Sequence, residues 1–111
     1  MNGVKHEELR EGRWFTLSLA EQMSHVGSEV FRALSWKKKG NDKYSSMALE
    51  RAFDLLDLII LDIRYRSRLK EICRLREVLC DYFFGDNEYK STEEKWNSYF
   101  YAFNWAARKN R

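Results

Sequence analysis

The stretch SLAEQMSHVGSEVFRALSWKKKG, residues 18–40, decides the fold class of this chain. Its apolar residues recur every three or four positions, which places them along one face of an α-helix. These residues are Leu19, Met23, Val26, Val30, Ala33 and Leu34. Ser18 and Glu21 form a capping-box pattern at the start, and three lysines followed by Gly40 mark the end. The pattern predicts a first helix over about residues 17–38.

The opposite side of this helix is polar, and we expect solvent to cover it. It carries Glu21, Gln22, His25, Glu29 and Arg32. A third side is built from small residues around Gly27. Glycine inside a helix costs about 1 kcal/mol relative to alanine. We therefore expect a second helix to approach Gly27 closely, either inside the fold or across a dimer.

Three further amphipathic segments follow, over about residues 42–62, 64–84 and 92–108. Ser91 and Glu94 form a second capping-box pattern before the last one. Four such helices joined by short loops predict an all-α fold, an antiparallel four-helix bundle. A length of 111 residues fits a single domain over residues 1–111. The N-terminal arm, residues 1–15, contains KHEELREG, which predicts a short additional helix.

The composition excludes several classes of protein. Hydrophobic residues make up 44% and charged residues 33% of the chain, which is typical of a folded domain. No apolar run approaches the roughly 18 residues that span a bilayer. The first residues show no apolar signal core, so we expect a cytoplasmic protein that does not enter a membrane. The net charge of +3 is weak support for an acidic partner.

The stretch LDIRYRSRLKEICRLREV, residues 61–78, is rich in basic residues but does not form one basic stripe. Five residues are candidate nucleic-acid contacts on an exposed face or its edge: Arg64, Arg66, Arg68, Lys70 and Arg74. Arg76 instead falls within the apolar face of the predicted helix. Because a buried unpaired guanidinium is very costly, we expect Arg76 to be a buried structural charge. Asp57, Asp54 and Glu50 of the second helix are its candidate partners, with Asp57 preferred.

The last helix carries more aromatic residues than one face can bury. Trp96, Tyr99, Phe100 and Phe103 belong to its core stripe, whereas Tyr101 and Trp105 lie on the other side. Either the N-terminal arm covers this second side, through Leu9, Trp14 and Phe15, or it is a subunit interface, where Trp and Tyr are enriched. Leu58 and Leu61 add apolar surface at the end of the second helix. These four residues are the predicted interface: Tyr101, Trp105, Leu58 and Leu61.

Few residues suggest catalysis. Glu21, His25 and Glu29 are spaced four apart and could supply metal ligands, but a solvated polar face is the simpler interpretation. Glu50, Asp54 and Asp57 line one side of the second helix without the paired carboxylate motifs of helical pyrophosphatases. There is no glycine-rich phosphate loop. We expect no cofactor, and we expect no enzyme.

Three segments, EGRWFTLSLAEQMSHVGSEVFRALSW, ERAFDLLDL and REVLCDYFFGDNEY, resemble a family of uncharacterised small bacterial all-helical proteins. The resemblance covers nearly the whole chain and implies a helical bundle without indicating an activity. By layout alone, the helix order and mild basicity are similar to the four-helix-bundle family of the accessory variability determinant of diversity-generating retroelements. That family oligomerises and assists a reverse transcriptase with RNA through a basic surface. No shared motif transfers a functional residue, so this is an analogy of fold.

The sequence therefore predicts a non-catalytic helical-bundle interaction protein that self-associates, or binds another protein. The first alternative is a nucleic-acid-binding accessory protein that contacts the RNA or DNA backbone through the basic residues after position 63. The second alternative is an enzyme with a carboxylate metal site.

Overall fold

The computed structural model describes residues 12–109 of the chain. These residues form four α-helices, α1 (Leu19–Lys38), α2 (Asp42–Leu61), α3 (Leu69–Phe84) and α4 (Glu93–Lys109). Two 3-10 segments, Arg13–Thr16 and Ile63–Arg68, precede α1 and α3. The predicted all-α class and its four helices are confirmed. The predicted helix in KHEELREG and the proposed role of Leu9 lie outside the described residues.

Helix α1 lies between α2 and α4 and packs against both. Ser45 of α2 donates a hydrogen bond to the carbonyl of Ala33 at 2.8 Å, near the start of α2 and the end of α1. At the other end of α1, Ser24 donates to Asn104 near the end of α4. These pairs show that α1 runs antiparallel to both neighbours.

Helix α3 closes the bundle against α2 and α4. Arg76 of α3 is paired with Asp57 of α2 at 3.0 Å, and the rings of Tyr82 and Trp96 lie 6.1 Å apart. The end of α3 meets the start of α2, where Phe83 and Leu49 line one cavity. Consecutive helices therefore alternate in direction, as the predicted antiparallel bundle requires.

The core contains the predicted apolar stripes of the four helices together with one residue of the first 3-10 segment. Its fully buried large side chains include Met23, Val26, Val30, Leu49, Leu55, Leu56, Ile59 and Leu79. Trp14 is also fully buried. Its carbonyl accepts a hydrogen bond of 2.8 Å from the Gln22 side chain, which fixes the 3-10 segment on α1.

The start of the third helix differs from the prediction. Residues 63–68 form a 3-10 segment, and Tyr65 departs from helical geometry with φ of −111° and ψ of 23°. The side chain of Asp62 accepts a hydrogen bond from the backbone N–H of Arg64 and thereby caps this segment. A local cap within the stretch thus competes with the continuous α-helix that the apolar periodicity alone predicted.

The cap of the fourth helix also differs from the prediction. The Thr92 hydroxyl, and not that of Ser91, accepts a hydrogen bond from the backbone N–H of Lys95 at 3.1 Å. Ser91 is instead bonded through its backbone N–H and carbonyl to the side chain of Asn87. The capping-box pattern therefore predicted the helix start to within one residue but assigned the wrong cap. The Ser18–Glu21 capping box of α1 forms as predicted.

The polar side of α1 is only partly the solvated face that the sequence predicted, with Arg32 exposed and two of its residues buried. Gln22 lies under Trp14 and is fully buried, and Glu29 is buried against Arg51 of α2. The burial of Gln22 and Glu29 follows from the position of α1. Because α1 is surrounded by α2, α4 and the first 3-10 segment, little of its circumference reaches solvent.

Gly27 allows α1 and α4 to come close together. A Cβ atom built on Gly27 would lie 2.9 Å from Cβ of Phe100, a distance that real Cβ contacts essentially never show. The close approach expected at this glycine therefore occurs inside the bundle, and the Phe100 ring fills the space that a side chain would need.

Candidate interaction surface

Three exposed aromatic residues define a surface on α1 and α4, which we call the aromatic face: Phe31, Tyr101 and Trp105. Their side chains are 58%, 65% and 55% exposed, respectively. Tyr101 and Trp105 are one turn apart on α4, opposite the core residues Trp96 and Phe100. The excess of aromatic residues on α4 therefore leaves two large rings outside the core of this chain.

A groove of about 510 Å³ runs beside Phe31 and Tyr101 between α1 and α4. Gly27 and Phe100 lie at its base, since their close contact draws the two helices together. Phe31 and Tyr101 flank it, and the polar groups along it are uncharged apart from Arg32: Ser28, Asn97 and Asn104. The Arg32 guanidinium is bound to Glu29 at 2.5 Å. The groove is therefore apolar at its base and carries the Arg32 cation at its rim.

The other two predicted interface residues lie apart from the aromatic face. Leu61 is exposed at the end of α2, and Leu58 is half-buried. Because α2 and α4 both run antiparallel to α1, Leu61 and Trp105 occupy the same end of the bundle, but on helices that flank α1. Ile63 is exposed beside Leu61. The sequence analysis predicted one interface from these residues, whereas the structure places them on two separate apolar surfaces.

We call the five candidate nucleic-acid contacts, Arg64, Arg66, Arg68, Lys70 and Arg74, the basic segment. All five are exposed, but they are spread over the 3-10 segment and the first turns of α3. Three of them have carboxylate partners. Arg64 binds Asp62 at 2.7 Å, Arg68 binds Glu71 at 2.7 Å, and Arg74 lies 3.4 Å from Glu77. These neighbours lower the positive potential of the segment.

The Asp62–Arg64 pair is the strongest local interaction in the basic segment. The guanidinium donates three hydrogen bonds to the carboxylate, and the backbone N–H of Arg64 donates a fourth. The hydrogen bond from the Arg64 side chain lowers the pKa of Asp62 below its ordinary value. Of the five residues of the basic segment, only Arg66 and Lys70 have no ion-pair partner among the described residues. The segment therefore offers two unpaired cations rather than five.

The predicted pairing of Arg76 with Asp57 forms, but the predicted burial is wrong. The side chains are 37% and 51% exposed, so water reaches both charges. The guanidinium lies over the ring of Phe53, 4.6 Å from its centroid. Arginine side chains cover apolar surface with their stems while the charged end stays in water, which explains a charged residue on an apolar stripe.

Among the described residues, the charged residue that is buried is Glu29 of α1, whose side chain is 3% exposed. Arg51 of α2 donates from Nε to Oε2 of Glu29 at 2.5 Å, and Arg32 binds the other carboxylate oxygen. Sequence reasoning placed Glu29 on a solvated face. The sequence signal for a buried acidic partner was Arg51, a basic residue within the predominantly apolar second helix.

Within residues 12–109, no group of three or more His, Cys, Asp or Glu side chains is arranged to hold a metal ion. The candidate ligands Glu21, His25 and Glu29 do not form one site, since Glu29 is buried in the ion pair with Arg51. The ring of His25 instead lies 5.9 Å from that of Trp14. None of the described helices is sufficiently long and apolar to cross a bilayer.

Comparison of this chain with protein-family models, with curated proteins and with solved structures gives no match. The resemblances drawn from sequence segments and helix layout therefore stay predictions.

Proposed function

We propose that this chain is a non-catalytic interaction protein that self-associates through the aromatic face of α1 and α4. The observation that carries the proposal is the exposure of Phe31 and Tyr101 beside a groove, with Trp105 exposed one turn beyond Tyr101 on α4. Large aromatic residues are enriched at protein interfaces, where each ring excludes a large area from water.

The shape of this surface supports a second copy of the chain as the occupant. A two-fold symmetric interface uses the same surface on both subunits, so projections and depressions must lie side by side. Tyr101 and Phe31 project beside the groove, whose base is lowered by the absence of a side chain at Gly27. In a two-fold dimer, the ring of one copy fills the groove of the other.

The charge distribution supports the same occupant. A two-fold interface places equal charges opposite each other, which is unfavourable for a strongly charged face. The groove carries the Arg32 guanidinium, whose carboxylate partner Glu29 is shared with Arg51, and its other polar groups are hydroxyls and amides. The low charge of the groove limits the repulsion between two copies, with Arg32 at its rim and Lys109 over the Trp105 ring as the cations of this face. The same absence of strong charge does not favour a nucleic acid at this groove.

Sedimentation equilibrium at micromolar concentration tests the proposal. The wild-type chain should have a mass above that of one chain, and the Tyr101→Ser, Trp105→Ser double variant should be monomeric. Because both side chains are exposed, the double variant should keep the unfolding free energy of the wild-type monomer within about 0.5 kcal/mol. Phe84→Ser is the matched control, since Phe84 is a comparably exposed aromatic residue on α3. It should leave the mass unchanged. A wild-type chain that is monomeric throughout would refute the proposal.

The second candidate function is binding to RNA or DNA in the cytoplasm through the basic segment. The observation in its favour is that Arg66 and Lys70 are exposed without an ion-pair partner in the described part of the chain. The ion pairs of Arg64, Arg68 and Arg74 weaken it relative to self-association. An enzyme with a carboxylate metal site has no comparable support among the described residues.

A further inference from the structure

A second cavity, separate from the aromatic face, lies between α3 and α4 and has a volume of about 310 Å³. We call it the α3/α4 cleft. Its walls are almost entirely apolar and are formed by Leu75, Val78, Trp96 and Tyr99. Glu71, Arg74 and Lys95 stand around it. This size is at the lower end of the range found for small-molecule sites, which are also mostly apolar with a few polar groups.

Two polar side chains in the cleft wall, Trp96 and Tyr99, are hydrogen-bond donors without an acceptor among the described residues, and Ser91 adds a hydroxyl. The indole N–H of Trp96 is buried and has no hydrogen-bond partner within residues 12–109. Nearly all buried polar groups in proteins are bonded, so an unbonded indole N–H in the wall of a cavity is unusual. The Tyr99 hydroxyl makes no hydrogen bond to any of the described residues either. The Tyr99 hydroxyl can donate to an acceptor held in the cleft, whereas the Trp96 N–H is closed off from solvent and would do so only if its ring shifted.

The charges around the cleft are mixed, and one of its cations lacks a carboxylate partner among the described residues. The carboxylate of Glu71 is bound by Arg68 at 2.7 Å, and Arg74 lies 3.4 Å from Glu77. Lys95 has no carboxylate partner in the described part of the chain. Its ammonium group donates one hydrogen bond, to the carbonyl of Lys90 at 3.1 Å, which leaves two N–H groups available. Lys95 is therefore the uncompensated charge at the cleft.

Burial raises the pKa of Tyr99 to about 12, with a further contribution from the negative charge of Glu71. The phenol thus keeps its proton at neutral pH. A protonated Tyr99, the Trp96 indole and the Lys95 ammonium are all donors, and a carboxylate offers only acceptors.

We infer that the α3/α4 cleft binds a small amphipathic anion, whose apolar body lies among Leu75, Val78, Trp96 and Tyr99 and whose carboxylate meets Lys95. This function is independent of self-association, since the cleft and the aromatic face share only the buried ring of Trp96. A neutral apolar molecule of the same size would leave the donors of the cleft unpaired, and it would therefore bind less tightly.

Fluorescence of anilinonaphthalene sulfonate, an aromatic anion whose emission rises in apolar surroundings, provides a direct assay with the full chain. The wild-type chain should show saturable binding that octanoate displaces. Octanol has the same chain length without the charge, and it should require about a tenfold higher concentration, as expected for loss of one charge-assisted hydrogen bond. No saturable, octanoate-sensitive signal would overturn the inference, and equal displacement by octanol would overturn its anionic part.

Two variants locate the site. Lys95→Gln, on the exposed side of α4, should weaken octanoate binding about tenfold and leave octanol unaffected. Val78→Trp should fill the cleft and abolish binding of both, with the circular dichroism spectrum confirming that the variant folds. The Tyr101→Ser, Trp105→Ser variant should bind the dye and octanoate as the wild type does. If it loses binding while Val78→Trp retains it, the dye occupies the aromatic face and the assignment of the cleft is wrong.

Discussion

Glu29 of α1 and Arg51 of α2 form an ion pair of 2.5 Å in which the carboxylate is almost completely removed from water. Arg32 binds the second oxygen of the same carboxylate. The pair links the two most closely packed helices of the bundle. Removing one partner of a buried pair leaves an uncompensated charge, which is why such pairs are sensitive to mutation.

We predict that Arg51→Met lowers the free energy of unfolding by about 3 kcal/mol, the lower end of the usual cost, because Arg32 still binds Glu29. Adding Glu29→Leu should restore most of the loss, since apolar residues of similar volume often replace a buried ion pair without cost. Urea denaturation of the two single variants and the double variant measures the coupling between the residues. Additive losses would show that the pair does not act as a unit.

The Arg76–Asp57 pair provides the contrast, because it also joins two helices but stays in contact with water. We predict that Arg76→Ala costs about 1 kcal/mol, from a solvent-screened ion pair and a cation–π contact with Phe53. Arg76→Lys should recover little, since lysine lacks the planar group that stacks on the ring. A loss in urea denaturation as large as that of Arg51→Met would mean that Arg76 is buried in solution.

These two pairs show what the sequence can and cannot predict. The periodicity of apolar residues predicted the helices, because each helix needs one face against its neighbours. It could not predict how many neighbours a helix has, which decides whether its polar side is exposed. Glu29 and Gln22 are buried because α1 lies between α2, α4 and the segment of Trp14. Arg76 remains partly exposed because α3 lies at the outside of the bundle.

The candidate surfaces were predictable to different degrees. Tyr101 and Trp105 follow from the aromatic excess of α4, but Phe31 joins them only through the packing of α1 on α4. The signal for Phe31 was a large apolar residue outside the core stripe of its helix. The ion pairs of the basic segment depend on side-chain conformation, which periodicity does not contain. The α3/α4 cleft was not predicted, since a cavity arises from two helices that are distant in sequence.

Gly27 provides a prediction on helix packing. Gly27→Ala should destabilise the chain by about 1 kcal/mol net, because overpacking against Phe100 costs more than the gain in helix propensity. Ser28→Ala is the control on the neighbouring exposed position, and it should be neutral or slightly stabilising. Thermal unfolding followed by circular dichroism compares the stability of each variant with that of the wild type. A stabilising effect of Gly27→Ala would show that α1 and α4 are farther apart in solution.

Tyr99 provides a prediction on pH. Its pKa is raised by burial from 10.0 to about 12, so the folded chain holds the phenolic proton more tightly than the unfolded chain. This contribution to stability is complete below pH 10.0 and is lost as the pH rises toward about 12. Urea denaturation across this range should therefore show a decline that is smaller in Tyr99→Phe. Equal declines in both proteins would contradict the raised pKa. Absorbance titration in urea should show Tyr99 ionising near its ordinary pKa.

A last prediction tests whether the basic segment binds nucleic acid or is only a solvated surface. Asp62, Glu71 and Glu77 hold three of its arginines in ion pairs. If the segment contacts phosphates, the carboxylates compete with the nucleic acid, and Asp62→Asn, Glu71→Gln and Glu77→Gln together should raise affinity. Asparagine keeps the capping ability of Asp62, so the 3-10 segment should persist.

Conversely, Arg66→Ser with Lys70→Ser should flatten the salt dependence by about two units, one for each lost phosphate contact.

Fluorescence anisotropy with labelled single- and double-stranded RNA and DNA in roughly 50 mM salt measures both effects under conditions that favour such binding. A control changes the net charge to the same extent on α2 through Asp42→Asn, Glu50→Gln and Asp54→Asn. If this control raises affinity as much as the first set, net charge and not the basic segment is responsible. No binding by the wild type or by the charge-releasing variant would show that the five cations form a solvated surface. Binding that increases only when the partners of the arginines are neutralised would instead show that these ion pairs restrain a nucleic-acid site.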